Sequence, residues 1–108
     1  TTSKVIVQVK QNILTDIDTE LGNSKIKLLR DSTTAIDFTT NIARVEANGS
    51  SAVKFGNLTT FSHLDSPSTT SQITYKTQGA ISSTSNNGTA RFQNSSVPSI
   101  ITVMEILA

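Results

Sequence analysis

The 108-residue chain contains no cysteine, no tryptophan, one histidine and two prolines. Without cysteine, a disulfide-stapled secreted scaffold and a thiolate metal site are both excluded. One histidine leaves no His-rich metal spacing. Charged residues make up 16% of the chain, against roughly 25% in ordinary soluble domains. The formal net charge is +1, and lysine and arginine are scattered singly. That scatter offers no basic footprint for nucleic acid. No apolar run approaches the ~20 residues that a membrane-spanning helix needs, so no membrane insertion is expected.

Hydrophobic residues are also scarce, at 35%. Serine and threonine take their place, at roughly three residues in ten. This composition favours strands and turns over helices. It also has an energetic consequence. Ordering each residue costs roughly 1–2 kcal/mol of backbone entropy. A domain of this size buries only about two-thirds of its unfolded surface. With so few apolar and aromatic groups, an isolated protomer is expected to be marginal, and association around a shared core is the expected remedy. Low net charge and well-separated alternating segments argue against disorder.

The alternation can be followed along the chain. In Ser3–Gln11, Val5, Val7 and Val9 fall on one face and Ile6, Gln8 and Lys10 on the other, as in a strand. Asn12–Ser24 is polar and contains Gly22–Asn23, so a loop is expected there. Lys25–Arg30 alternates again, with Ile26 and Leu28 on one face, and Asp31–Thr34 is turn-forming. Asp37–Ala47 is the best helix candidate, although Thr39, Thr40 and Asn41 disfavour a helix. Asn48–Gly49 signals a tight turn. Short strands follow at Ser51–Leu58 and Thr59–Leu64, and further strands at Gln72–Gln78 and, after the Asn86–Asn87–Gly88 turn, at Thr89–Gln93. Ile100–Leu107 is apolar on both faces, as a strand amid packed layers or at a subunit interface would be. Seven to nine short strands in one domain over residues 1–108 indicate an antiparallel all-β sandwich or jelly-roll.

Reactive constellations are few. His63, Asp65 and Ser66 invite a nucleophilic reading. Against it, strand neighbours point to opposite faces, and no Gly-x-Ser-x-Gly elbow is present. The expected role of Asp65 or Ser66 is to cap a turn set by Pro67. Asp16, Asp18 and Glu20 alternate and, if extended, would present three carboxylates on one face. Leu21 occupies the position where a calcium-binding EF-hand loop needs glycine, so a solvated edge is the preferred reading. Glu105, within the apolar final run, is expected to pair with a base or face solvent. Four Asn-x-Ser/Thr matches, beginning at Asn48, Asn57, Asn87 and Asn94, are expected by chance in a chain this rich in those residues. No catalytic, metal or cofactor-binding residue is therefore assigned.

Three blocks, "KIKLLRDST" at Lys25–Thr33, "FSHLDSPSTTSQITYKTQ" at Phe61–Gln78 and "SIITVMEILA" at Ser99–Ala108, resemble the C-terminal domains of tail-fibre and related appendage proteins of tailed bacteriophages, marine and cyanophage types included. The opening "SKVIVQVK" is similar to a strand of the same domains. The resemblance spans most of the chain, but Ile36–Leu58 matches poorly. Members also begin with strands that precede the equivalent of Ser3. The absence of an initiating Met likewise fits a processed product or part of a longer chain. The resemblance implies a β-sandwich head, a place in the virion beside other virion proteins, homotrimerisation, and no catalytic residues.

Three functions are then in competition. The first is a non-enzymatic tail-fibre or spike head that contacts the host surface, with cell-surface polysaccharide as the expected ligand. Its expected contact residues are the loop tips Asn48, Gly49 and Ser50, and Asn86, Asn87 and Gly88 within Ser85–Gly88. The second is a capsid decoration or capsid-fibre protein with no receptor. The third, a polysaccharide-cleaving enzyme, would require converging carboxylates, and the sequence offers no clear pair.

Overall fold

The computed structural model describes residues 3–17, 20–47, 52–81 and 88–107, and it is all-β. Among the described residues the strands are β1 (Lys4–Ile17), β2 (Glu20–Arg30), β3 (Thr33–Ala47), β4 (Val53–Asp65), β5 (Tyr75–Ile81), β6 (Thr89–Phe92) and β7 (Ile100–Ile106). A 3-10 turn, Asn94–Ser96, separates the last two. All pairings are antiparallel.

The strands form two sheets. In the first, β1 is central, with β4 along one edge and β7 and β6 end to end along the other. In the second, β2 is central between β3 and β5. The valine alternation of β1 does as expected: Val5, Val7 and Val9 are all buried. The same inward row continues through Gln11, Ile13, Thr15 and Ile17. It meets Ile26, Leu28 and Leu29 of β2, which are also buried. Val5, Val7, Val9 and Leu28 form one cluster, with Ala35, Ile36, Phe61 and Tyr75 packed against it. The two sheets therefore bury a shared face. Leu28 and Leu29 can both be buried because the β2–β3 register shifts between them, Leu28 facing Ile36 and Leu29 facing Thr34.

Several expectations are corrected. Asp37–Ala47 is not a helix but part of β3, paired along β2 from Arg30↔Thr33 to Glu20↔Ala47. Its β-branched and threonine content fits a pleated ladder better than a helix, and the ladder supplies its backbone hydrogen bonds. Asn12–Ser24 is not a loop: β1 runs on to Ile17 and β2 begins at Glu20. Ser51–Leu58 and Thr59–Leu64 are not two separate strands, since β4 runs unbroken opposite β1 from Val53 to Asp65. Ile100–Leu107 does not lie amid packed layers. Among the described residues β7 pairs with β1 alone, and every one of its residues is exposed.

The molecule is long and thin, measuring 56 × 24 × 17 Å. Its Cα radius of gyration is 16.3 Å, against about 13 Å for a compact domain of this length. Strands of 13 to 15 residues rise about 3.3 Å per residue, so they run along the long axis.

Candidate functional site

Strand register fixes which loops share an end. Ile17 faces Val53, Glu20 faces Ala47, Asp16 faces Thr89 and Ser24 faces Ile81. The strand ends Ile17, Glu20, Ala47, Val53, Ile81 and Thr89 therefore all lie toward one end of the two sheets. Asn48, Gly49, Ser50, Asn86 and Asn87 themselves lie outside the described residues. Gly88 is described and is half-buried ahead of β6. The roots of both expected contact loops thus lie together, although they are some forty residues apart in sequence. Lys54 Nζ also reaches Asp16 Oδ2 at this end, 3.6 Å away. Of the three alternating acids, Asp16 is therefore ion-paired, while Asp18 lies outside the described residues. No group of three or more potential metal ligands occurs among the described residues.

The opposite end carries the Asp31–Ser32 turn, the connector 66–74, and both Ser3 and Leu107. Here the sequence pointed at the right residues with an incomplete argument. His63 and Asp65, two apart on β4, share the inward face, because alternation separates only adjacent residues. Among the described residues, however, Asp65 does not use His63. Nη1 of Arg30 donates to both carboxylate oxygens, at 2.8 and 2.9 Å. The Tyr75 hydroxyl donates to Oδ2 at 2.6 Å, and the Ser66 amide donates to Oδ1 at 2.9 Å. The last contact is local, between Asp65 and its neighbour; residues 66–69 form no turn around Pro67, so the expected turn cap is not what Asp65 provides. The first two tie β4 of one sheet to β2 and β5 of the other.

The electrostatics follow from this wiring. Burial pushes the Asp65 carboxyl up, but hydrogen bonds from Tyr75 and Arg30, the Arg30 charge and the Ser66 amide together hold it below its ordinary value. Burial, then the hydrogen bond to Asp65 and its charge, push the Tyr75 phenol well above 10.0. A carboxylate held ionised by three donors is a poor general base and a poor nucleophile, so the geometry makes Asp65 a clamp between sheets. Ile73, Tyr75 and Thr77 share the expected face, each half-buried between exposed neighbours. Tyr75 is the expected packing anchor, and its hydroxyl partner is what the sequence left unstated.

Beside the clamp lies an open groove of about 700 Å³. Ile73, Ile101 and Val103 supply its apolar lining, and Thr69, Ser71 and Glu105 supply polar groups. It joins the hydroxyl-rich connector to the inward face of β7. Alternation alone did not reveal it, because it depends on β7 extending the first sheet past the second.

No protein-family model, no curated protein and no solved structure matches this chain.

Proposed function

We propose that this chain is a non-enzymatic structural protein of a bacteriophage virion, the β-sandwich head of a tail fibre or spike that contacts the host surface. The observation that carries the reading is the gathering of strand ends. Ala47, Val53, Ile81 and Thr89, which flank the expected contact residues in sequence, lie toward the same end of a 56 Å body. Ser3 and Leu107 lie at the other end, which leaves that end for attachment to the particle. Loops held by a rigid two-sheet scaffold suit recognition, because their sequence can change while the scaffold stays. Asparagine, serine and glycine at such tips suit weak hydrogen bonds to cell-surface polysaccharide, and many copies per particle turn weak sites into avidity. The resemblance of the Phe61–Gln78 block to phage appendage domains points the same way. Part of that block forms the Asp65–Tyr75 clamp, so the matching residues are ones the scaffold needs. The head is a homotrimer, as the resemblance implies.

A capsid decoration protein is the second reading, and the elongated two-sheet body would serve it equally well. Electron microscopy of intact particles decorated with an antibody to this domain separates the two. Label at the tail tip supports the host-contact reading. Label distributed over the capsid shell overturns it in favour of the second.

A further inference from the structure

β7 is an unguarded edge. Natural sheets protect an edge strand with lysine, proline, a bulge, short length or a covering element. The other edges among the described residues show such guards: Lys54 lies on β4, Lys76 on β5, Asp37 on β3, and β6 has only four residues. β7 has seven residues, Ile100–Ile106, with no proline, no basic residue and Glu105 as its sole charge. Its register with β1 is unbroken from Lys4↔Ile106 to Lys10↔Ile100. Every second residue of β7 therefore turns its backbone N–H and C=O away from β1, with no strand among the described residues to receive them.

Its side chains are equally uncovered. Met104 is 56% exposed, Val103 51%, Ile100 44% and Ile106 41%. The register sorts them into two patches. Met104 sits beside Ile6, and Ile6 beside Leu64, so one apolar row crosses the outer face of the first sheet. Ile101 and Val103 stand level with the buried Val9 and Val7, on the inner face, where they line the groove beside Ile73. The chain exposes 6523 Å², about 700 Å² more than a compact 11.5 kDa monomer is expected to show. That excess is close to the roughly 800 Å² that one partner contributes to a standard interface.

We infer that β7 is the seam between copies of this chain, its two apolar faces and free edge being covered by neighbouring copies. A strand with two unlike apolar faces suits a head-to-tail interface, in which one patch meets the other on the next copy and the ring closes. The inference takes from the proposed function only the self-association, and a three-membered ring is the simplest closed form.

The test compares molar mass by light scattering for the wild-type chain and for Met104→Lys and Val103→Lys, which place a charge on the outer and inner patches. Both sites are exposed in the single chain, so far-UV circular dichroism is expected to stay strand-like. The wild type is expected at three chain masses, and each variant at one. Hydrogen exchange on the wild type provides a second readout that is independent of variant folding. β7 amides are expected to be protected at high protein concentration and to lose at least tenfold in protection on dilution to single chains. If the variants keep the wild-type mass, or β7 exchanges freely in the assembly, the seam lies elsewhere while self-association stands. A wild type at one chain mass throughout the concentration range overturns both.

Discussion

Asp65 is the residue on which the two sheets most visibly depend. It is almost fully buried, yet it stays charged because Arg30, Tyr75 and the Ser66 amide all donate to it. Asp65→Asn removes the charge, leaves Arg30 without its carboxylate and puts an amide against the tyrosine hydroxyl. The Arg30 side chain is 30% exposed and can recover some hydration, so the expected loss is about 1–3 kcal/mol rather than the value for a fully buried pair. Urea denaturation measures it as a lower midpoint with an unchanged slope. The sign of the pH dependence follows from the depressed carboxyl. Its contribution is present above the ordinary carboxylate value of 3.8 and is lost as pH falls through the lower folded value. Acid unfolding of the wild type should therefore be steeper below pH 3.8 than that of Asp65→Asn. Tyr75 works in the opposite direction. Its raised phenol contributes stability below the ordinary value of 10.0, and that stability is lost as pH rises beyond it. Because it is the sole tyrosine, phenolate absorbance reports it alone. The absorbance should stay low well past pH 10 and then rise together with unfolding; a simple titration centred at pH 10 would contradict the clamp.

At the scale of elements, β6 and β7 behave as one interrupted strand along β1. The interruption is held by Asn12, whose carbonyl accepts from the Gln93 amide at 3.0 Å and whose side-chain oxygen accepts from the Asn94 amide at 3.1 Å. Gln11 adds a 2.6 Å bond to Ser99, and Gln93 turns the chain through the left-handed region at φ 61°. Asn12→Ala keeps the carbonyl and loses the side-chain acceptor, at an expected cost of about 1 kcal/mol. Hydrogen exchange should quicken at Asn94 and its neighbours while the β1–β4 ladder keeps its protection. The sequence revealed elements where alternation was strict: Val5, Val7 and Val9 are inward as their spacing indicates, and Ile26 and Leu28 likewise. It misled where local composition and long-range pairing disagree. Ser51–Leu58 and Thr59–Leu64 looked like two short strands, but the β1 ladder carries β4 unbroken from Val53 to Asp65. Asp37–Ala47 looked weakly helical, and pairing with β2 decided the matter. Arg30 as the partner of Asp65 was not legible at all, because 35 residues separate them and only the packing of the two sheets brings them together.

For the molecule as a whole, the shortage of apolar residues is visible twice. The shared face between the sheets is built largely from valine, isoleucine and leucine. The apolar side chains of β7 meanwhile remain on the surface. A thin 56 Å body with an open apolar edge fits a protomer that completes itself in an assembly. The expected contact residues rest on Asn–Gly turn signals, and only strand register places the strand ends that flank them toward one end. The central claim is that this end contacts the host. Its most direct test is competition: purified, folded domain is added to host cells before the particles, and the adsorption rate is measured. The account predicts dose-dependent slowing of adsorption, relieved when Asn48 and Asn87 are replaced by alanine in the competing domain. An adsorption rate unchanged at saturating concentrations of the folded domain would contradict it.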